Sequence, residues 1–153
     1  MINVQMDLIS SAFMEALVSV ILKVSGFALS DISDNRAAEF DELAACMCLN
    51  SKKGGILFVS AKKPDIKAIC SYMLGVPDDD VLDSDIEDVL CELVNMTAGT
   101  AKLQLTGTDY MFSLSTPFLI RGDNLSIITK KRASLVSKVL GNGEVTLKLT
   151  IVY

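Results

Sequence analysis

Asp83-Ser84-Asp85-Ile86-Glu87-Asp88-Val89-Leu90-Cys91-Glu92-Leu93-Val94-Asn95-Met96-Thr97-Ala98-Gly99-Thr100-Ala101-Lys102-Leu103-Gln104-Leu105 is the stretch whose reading decides the fold. Its apolar positions Ile86, Val89, Leu90, Leu93, Val94, Met96, Ala98, Ala101 and Leu105 recur at helical spacing, so it reads as one long helix with a core-facing side. Asp83 or Ser84 is the expected N-cap, and acidic residues fill the first turn, where the helix dipole favours them. Asp88, Glu92, Asn95, Gly99 and Lys102 form a second stripe. At about 100° per residue these five stay within a sector of roughly 80°. An acid and an amide therefore leave the helix side by side, with a glycine one turn further on. Glycine inside a helix costs about 1 kcal/mol relative to alanine. Close approach by another backbone would offset that cost.

Working outward, 153 residues suggest one domain spanning 1–153, large enough for a real core. Half the residues are hydrophobic, which excludes a disordered chain. The longest apolar run, from Ala16 to Gly26, is broken by Ser19, Lys23 and Ser25, so no membrane span is expected. The basic start and small-residue cleavage site of a secretory signal are missing. A net charge of −5 argues against a nucleic-acid partner. The one basic cluster, Lys130-Lys131-Arg132, reads as an exposed strand end. Four cysteines without a secretory signal point to a reducing cytosol, hence a cytoplasmic protein. The absence of histidine removes Ser–His and Cys–His nucleophile pairs and His-ligated zinc.

The chain opens with a helix over Gln5–Lys23, apolar nearly all round and so expected to be well buried, with Gly26 as its stop. Phe27 to Ala38 reads as an irregular connection or weak edge strand. Glu39–Leu49 and Gly55–Ser60 read as strands joined across Asn50-Ser51-Lys52-Lys53-Gly54, a hairpin. Pro64–Leu74 is a short helix that Gly75 ends, and Val76–Val81 is a loop. After the long helix, Gly107-Thr108-Asp109 is a turn and Met111–Leu114 a short strand. Pro117 then removes a ladder donor from the stretch Ser115–Ile120. Leu125–Thr129, Ala133–Leu140 and Glu144–Tyr153 read as strands, the last two joined at Gly141-Asn142-Gly143. In the final strand Val145, Leu147, Leu149 and Ile151 alternate with residues on a solvated or lightly covered face. The expectation is an α+β, two-layer domain with helices on a mainly antiparallel sheet. Each half starts with a long helix followed by a hairpin, which hints at an internal helix–strand–strand duplication.

Several constellations carry chemistry or look as if they do. Asp88, Glu92 and Asn95 are either a solvated helix face or side chains presented to a partner. Asn offers both a donor and an acceptor and can orient a water, and Glu can pair with a cation or act as a base. Cys46 and Cys48 share a strand face, with Cys70 and Cys91 on separate helices, and read as small core residues. The run Asp78-Asp79-Asp80 lacks the glycine and final glutamate of an EF-hand loop. Asp83-x-Asp85 does not follow an apolar strand, so it is no phosphoaspartate-forming site. Gly54-Gly55 leads from turn to strand, so it is no phosphate cradle.

The run Glu92-Leu93-Val94-Asn95-Met96-Thr97-Ala98-Gly99-Thr100-Ala101-Lys102, followed by Ser115-Thr116-Pro117 and Gly122, resembles the signature of the CheC/CheX/FliY phosphatases of bacterial chemotaxis, and within them CheX. That signature is an Asp or Ser, three residues, Glu, two residues, Asn, and a Pro about twenty residues on. Asp88, Glu92, Asn95 and Pro117 fit each element. The resemblance implies a protein phosphatase that removes the phosphoryl group from the aspartate of a CheY-type response regulator. Glu92 would engage the regulator's lysine and Asn95 would position the attacking water. Asp88, Gly99 and Pro117 would contact the partner. It implies no cofactor in this chain, with Mg2+ supplied by the phosphorylated regulator. It further implies a homodimer formed through edge strands, for which the hairpin ending at Tyr153 could serve. The alternative within the same fold is a non-catalytic receiver-binding or flagellar-switch module. CheC-like members carry two such helices, whereas here Glu15 is followed three positions later by Val18, which favours a single site.

Overall fold

The computed structural model describes residues 2–33, 40–130 and 133–153. The order is α1 (Ile2–Ser25), β1 (Ser30–Asp31), β2 (Leu43–Asn50), β3 (Ile56–Ala61), α2 (Lys63–Leu74), a 3₁₀ turn (Asp78–Asp80), α3 (Asp83–Leu105), β4 (Ser113–Leu114), β5 (Phe118–Arg121), β6 (Leu135–Gly141) and β7 (Thr146–Val152). The stretch that opened the sequence reading is α3, with both ends where they were expected. Its N-cap, however, is Leu82. Neither Asp83 nor Ser84 serves, and the Asp85 carboxylate reaches back to accept from the Leu82 N–H at 2.9 Å. An acid at the third helical position does this work when the capping residue itself has no side-chain acceptor.

The sheet is antiparallel throughout, in the order β1-β6-β7-β3-β2, with β4 and β5 pairing successive parts of β2. Its helix-side face is a single apolar layer. Leu43, Ala45, Met47 and Leu49 of β2, Leu57, Val59 and Ala61 of β3, and Leu147, Leu149 and Ile151 of β7 all join the core. Period-two alternation puts them on one face. The helix layer lies across it, with α3 against α1, α2, β2 and β3. The arrangement is the two-layer α+β fold that the element order predicted.

The pairings also carry a two-fold exchange. Swapping β1 with β5, β2 with β6 and β3 with β7 turns β1·β6 into β5·β2 and β2·β3 into β6·β7. The central ladder maps onto itself. Adding 91 takes 56 to 147 and 61 to 152, and the pair Ile56↔Val152 becomes Leu147↔Ala61. This is the topology expected of two helix–strand–strand halves whose edge strands have crossed over.

Several local expectations needed correction. Helix α1 extends beyond Gln5–Lys23 at both ends, and it is not buried all round, since Leu8 and Leu22 are 46% and 51% exposed. By length and composition Met6–Ser25 is apolar enough to cross a membrane, contrary to the reading of a run too short and broken. Half of that stretch is buried inside the fold, where Phe13, Ala16 and Leu17 pack in the core. Within the connection after α1, Ser30–Asp31 forms a two-residue strand on β6, and residues 34–38 lie outside the described residues. The strand expected over Glu39–Leu49 runs from Leu43, and Glu39 is not among the described residues.

Leu125–Thr129 forms no strand, only a lone bridge at Ser126. Instead β5 forms just after Pro117, the residue that had argued against a strand. Pro117 stands before the first ladder position, where its missing N–H costs nothing. Of the basic cluster, the Lys130 carbonyl accepts from the Ala133 N–H, and Lys131 and Arg132 lie outside the described residues. The outer face of β7 is less open than its alternation suggested, because Thr150 is buried. Over that face Phe40 packs against Phe58 in a tilted arrangement with ring centroids 5.1 Å apart, and Asp41 pairs with Lys148 at 3.4 Å.

Leu90 is fully buried at the centre of α3. Leu90→Ala should cost about 2–5 kcal/mol of unfolding free energy, measured as a fall in the chemical denaturation midpoint with unchanged slope. Asp31 ties β1 to the sheet. It accepts from Ser33 N–H at 2.9 Å and pairs with Lys138 at 3.0 Å, and these bonds, those to Ser33 first, hold its carboxyl down at about 2. A depressed carboxyl stabilises the fold above its unfolded value of 3.8, and that stabilisation is lost as pH falls through about 2. Asp31→Asn should therefore lower stability at pH 5 and flatten the acid limb between about pH 4 and 2, read from thermal melts across that range.

Candidate functional site

The buried stripe of α3 is Ile86, Val89, Leu90, Leu93, Val94, Thr97, Ala98, Ala101 and Leu105. Thr97 takes the fully buried place that the sequence reading gave to Met96, which is half-buried. Among the described residues the Thr97 hydroxyl has no hydrogen-bond partner. Because this stripe is clamped to the sheet and α1, the opposite side of the helix must point outward. Asp88 and Glu92 are exposed there, and Asn95, Gly99 and Lys102 are half-buried. The five candidate positions do form one ridge.

Neither Glu92 nor Asn95 has a hydrogen-bond or ion-pair partner among the described residues. A carboxylate and a carboxamide in adjacent turns are thus left with their bonding capacity unspent. Neighbouring acids are engaged otherwise. Asp83 pairs with Lys63 at 2.8 Å, whose hydrogen bond and charge hold its carboxyl below the usual range. Glu87 pairs with Arg121 at the end of β5. Asp85 is spent on the helix start. Asp88 is unpartnered among the described residues, so the free negative charge of α3 sits on the ridge itself.

Glycine 99 stands in open space. A Cβ built there meets nothing within 4 Å. No neighbour inside the fold requires a glycine at this position. Gly99→Ala should therefore stabilise the isolated protein by about 1 kcal/mol, seen as a raised Tm with the helix content of the native chain.

Pro117 lies between β4 and β5, two sheet-edge strands that both contact α3. Strand β5 flanks α3, since Arg121 pairs with Glu87, and β4 follows the turn after the helix C-terminus. The chain from Pro117 to Arg121 covers roughly 13 Å of strand. Ser115, two residues earlier, anchors the segment by donating to the Cys48 carbonyl at 2.9 Å.

A cavity of about 410 Å³ opens at the other end of α3. Glu42, Asp83, Glu87 and Asp123 face Lys63 and Arg121 around it. Neither Glu92 nor Asn95 lines it or the smaller cavity beside it. The candidate pair is displayed on a ridge, a geometry that suits insertion into another molecule's pocket. Lys63 and Arg121, which pair with acids in the first turns of α3, escaped the sequence reading. Their partners lie on other elements, and no periodicity links them.

The cysteines divide differently from the expectation of small core residues. Cys46 and Cys70 are buried, Cys91 is half-buried and Cys48 is exposed. Burial pushes the Cys46 thiol up to about 12 and raises those of Cys70 and Cys91, so none of the three is a ready nucleophile at neutral pH. Among the described residues no three His, Cys, Asp or Glu side chains are grouped to hold a metal ion.

The family described as chemotaxis phosphatase CheX matches residues 43–139, more than half of the chain and all of α3 through most of β6. The chain belongs to the CheX family. Solved CheX structures share its fold. The chemotaxis protein CheX from Vibrio vulnificus superposes with a TM-score of 0.80 at 19% identity, covering 94% of this chain and 97% of that one. A CheX from Desulfovibrio desulfuricans gives 0.78 at 22% identity, covering 94% and 97%. The CheX of Borrelia burgdorferi, solved as a CheX–CheY–BeF3–Mg2+ complex, gives 0.73 at 16% identity, covering 92% and 94%. No curated protein sequence matches the chain. At these identities the likeness carries the fold, and the family match carries the general role its description gives, that of a chemotaxis phosphatase.

Proposed function

We propose that this CheX-family chain, as a single domain over 1–153, dephosphorylates the phospho-aspartate of a CheY-type response regulator by inserting the α3 ridge into the regulator's active site. The observation that carries the reading is the outward, unpartnered pair Glu92 and Asn95. In this reading the Glu92 carboxylate engages the regulator's active-site lysine. Asn95 accepts a hydrogen bond from a water through its amide oxygen and aims that water at phosphorus. The water oxygen bonds to phosphorus, the bond from phosphorus to the aspartyl oxygen breaks, and carboxylate and inorganic phosphate leave. Mg2+ on the regulator carries the developing charge, so this chain needs no cofactor of its own. Phosphoryl transfer asks mainly for positioning and charge stabilisation, and one oriented hydrogen-bonding group is worth about 10²-fold.

Asp88, Gly99 and Pro117 then contact the regulator around the pair, with Gly99 admitting its backbone. The regulator's compartment makes the protein cytoplasmic. A homodimer would need a free strand edge. Strand β7, which ends beside Tyr153, is paired on both sides by β3 and β6, so it offers none. Its hairpin partner β6 is bonded to β1 only at Leu140 and Gly141, and Leu135 to Ser137 are unpaired on that side among the described residues. The β6 side of that hairpin is the edge proposed for dimerisation.

Glu92→Ala and Asn95→Ala should each keep the native Tm and lower stimulated phosphate release from a phosphorylated receiver domain by about 10²-fold or more. The Asn95 variant should still bind a beryllofluoride-loaded receiver. Full activity in either variant sinks the proposed mechanism. Binding by the native chain without any acceleration favours the non-catalytic module.

A further inference from the structure

Lys102 closes the α3 ridge at its C-terminal end, and the mechanism proposed for Glu92 and Asn95 does not use it. It is half-buried and has no acid partner among the described residues. Lys63, Arg121, Lys138 and Lys148, by contrast, each pair with a carboxylate. A lysine in the last turn of a helix also complements the helix dipole. That benefit is the same on every side of the helix, so it leaves the alignment of Lys102 with Asn95 unexplained.

Charge changes sign along the ridge. Asp88 and Glu92 give its first half two carboxylates without partners among the described residues, Asn95 is neutral, and Lys102 puts an ammonium at the far end. Asn95 and Lys102 are seven residues apart. On a regular helix that is about 10.5 Å along the axis and about 20° around it. Between them only Ala98 and Gly99 approach that line. Ala98 is fully buried, and a Cβ built at Gly99 meets nothing within 4 Å. No side chain therefore separates the amide from the ammonium. Side chains on a helix lean toward its N-terminus, so the reach of the four-carbon lysine stem is over this gap, toward Asn95. In the docked state the group beside Asn95 is the regulator's phosphoryl group, which is anionic. We propose that Lys102 is a third working side chain of the ridge, its ammonium donating to an oxygen of that phosphoryl group while Asn95 aims the water. The inference deepens the function proposed above and rests on it. The bonds made and broken are the same, and Lys102 keeps its proton throughout. It supplies positive charge, as cations do at transferring phosphoryl groups.

Lys102→Met keeps an unbranched stem and removes the charge. The variant should fold as the native chain does and lower the maximal rate of phosphate release from a phosphorylated receiver about 10-fold or more. Binding supplies a readout that a purely structural role leaves still. The native chain should bind a beryllofluoride-loaded receiver more tightly than the unloaded one. Lys102→Met should shrink that preference about 10-fold, the worth of one charge-assisted hydrogen bond, with affinity for the unloaded receiver unchanged. Lys102→Gln should behave as Lys102→Met does, and Lys102→Arg should recover part of both losses. Native release, or a native ratio of loaded to unloaded affinity, in the folded Lys102→Met protein overturns the phosphoryl contact and leaves the Glu92 and Asn95 reading standing. An equal loss of affinity for both receiver forms leaves that ratio native and overturns it too. No acceleration by the native chain overturns the ridge reading and the Lys102 contact together.

Discussion

Everything in this structure depends on the apolar contact that locks α3 between the sheet and α1. Leu90, Leu93, Val94, Ala98 and Ala101 are fully buried in that contact. A helix gripped along one side cannot turn about its axis without exposing those side chains, and each large aliphatic exposed would cost about 1.5–3 kcal/mol. The grip therefore fixes where Asp88, Glu92 and Asn95 point as firmly as it fixes the core. The ion pairs Lys63–Asp83 and Arg121–Glu87 lie at the flank of the same helix. They are solvent-exposed, so they refine its setting more than they hold it.

The second constraint is the antiparallel ladder between β3 and β7 at the middle of the sheet. Both strands are paired on both sides, and they carry the two-fold exchange that relates the halves of the chain. Crossing over the edge strands places β1 beside β6 and β5 beside β2. The second of these pairings brings the Pro117 segment to the flank of α3.

The ridge is also built unlike an enclosed active site. Among the described residues its acid and amide have no partner, its glycine faces open space, and the charged cavity at the other end of the helix includes neither side chain. Such a surface has little chemistry in isolation, because water screens the groups and nothing holds a substrate. In the proposed function it acts only when a partner supplies a dry pocket, where a positioned hydrogen bond counts for more than it does in water. That proposed dependence on a partner is compatible with a chain that has no histidine.

The sequence by itself determined α3 to the residue, the two hairpins at Asn50–Gly54 and Gly141–Gly143, the short helix ended by Gly75, and the ridge of Asp88, Glu92, Asn95 and Gly99. All of these follow from local rules: helical periodicity, turn chemistry and the special conformations of glycine and proline. Tertiary structure alone decided the rest. Strand β5 exists because β2 had an open edge to offer, whereas Leu125–Thr129, with an equally apolar pattern, found no ladder to join. Thr97 was buried and Leu22 exposed by what packs against them, and composition carries no trace of that. Arg121 and Lys63 met their acids only once distant elements had been brought together. Local propensity is written within one turn or one strand pair, and pairing partners and burial are properties of the assembled layers.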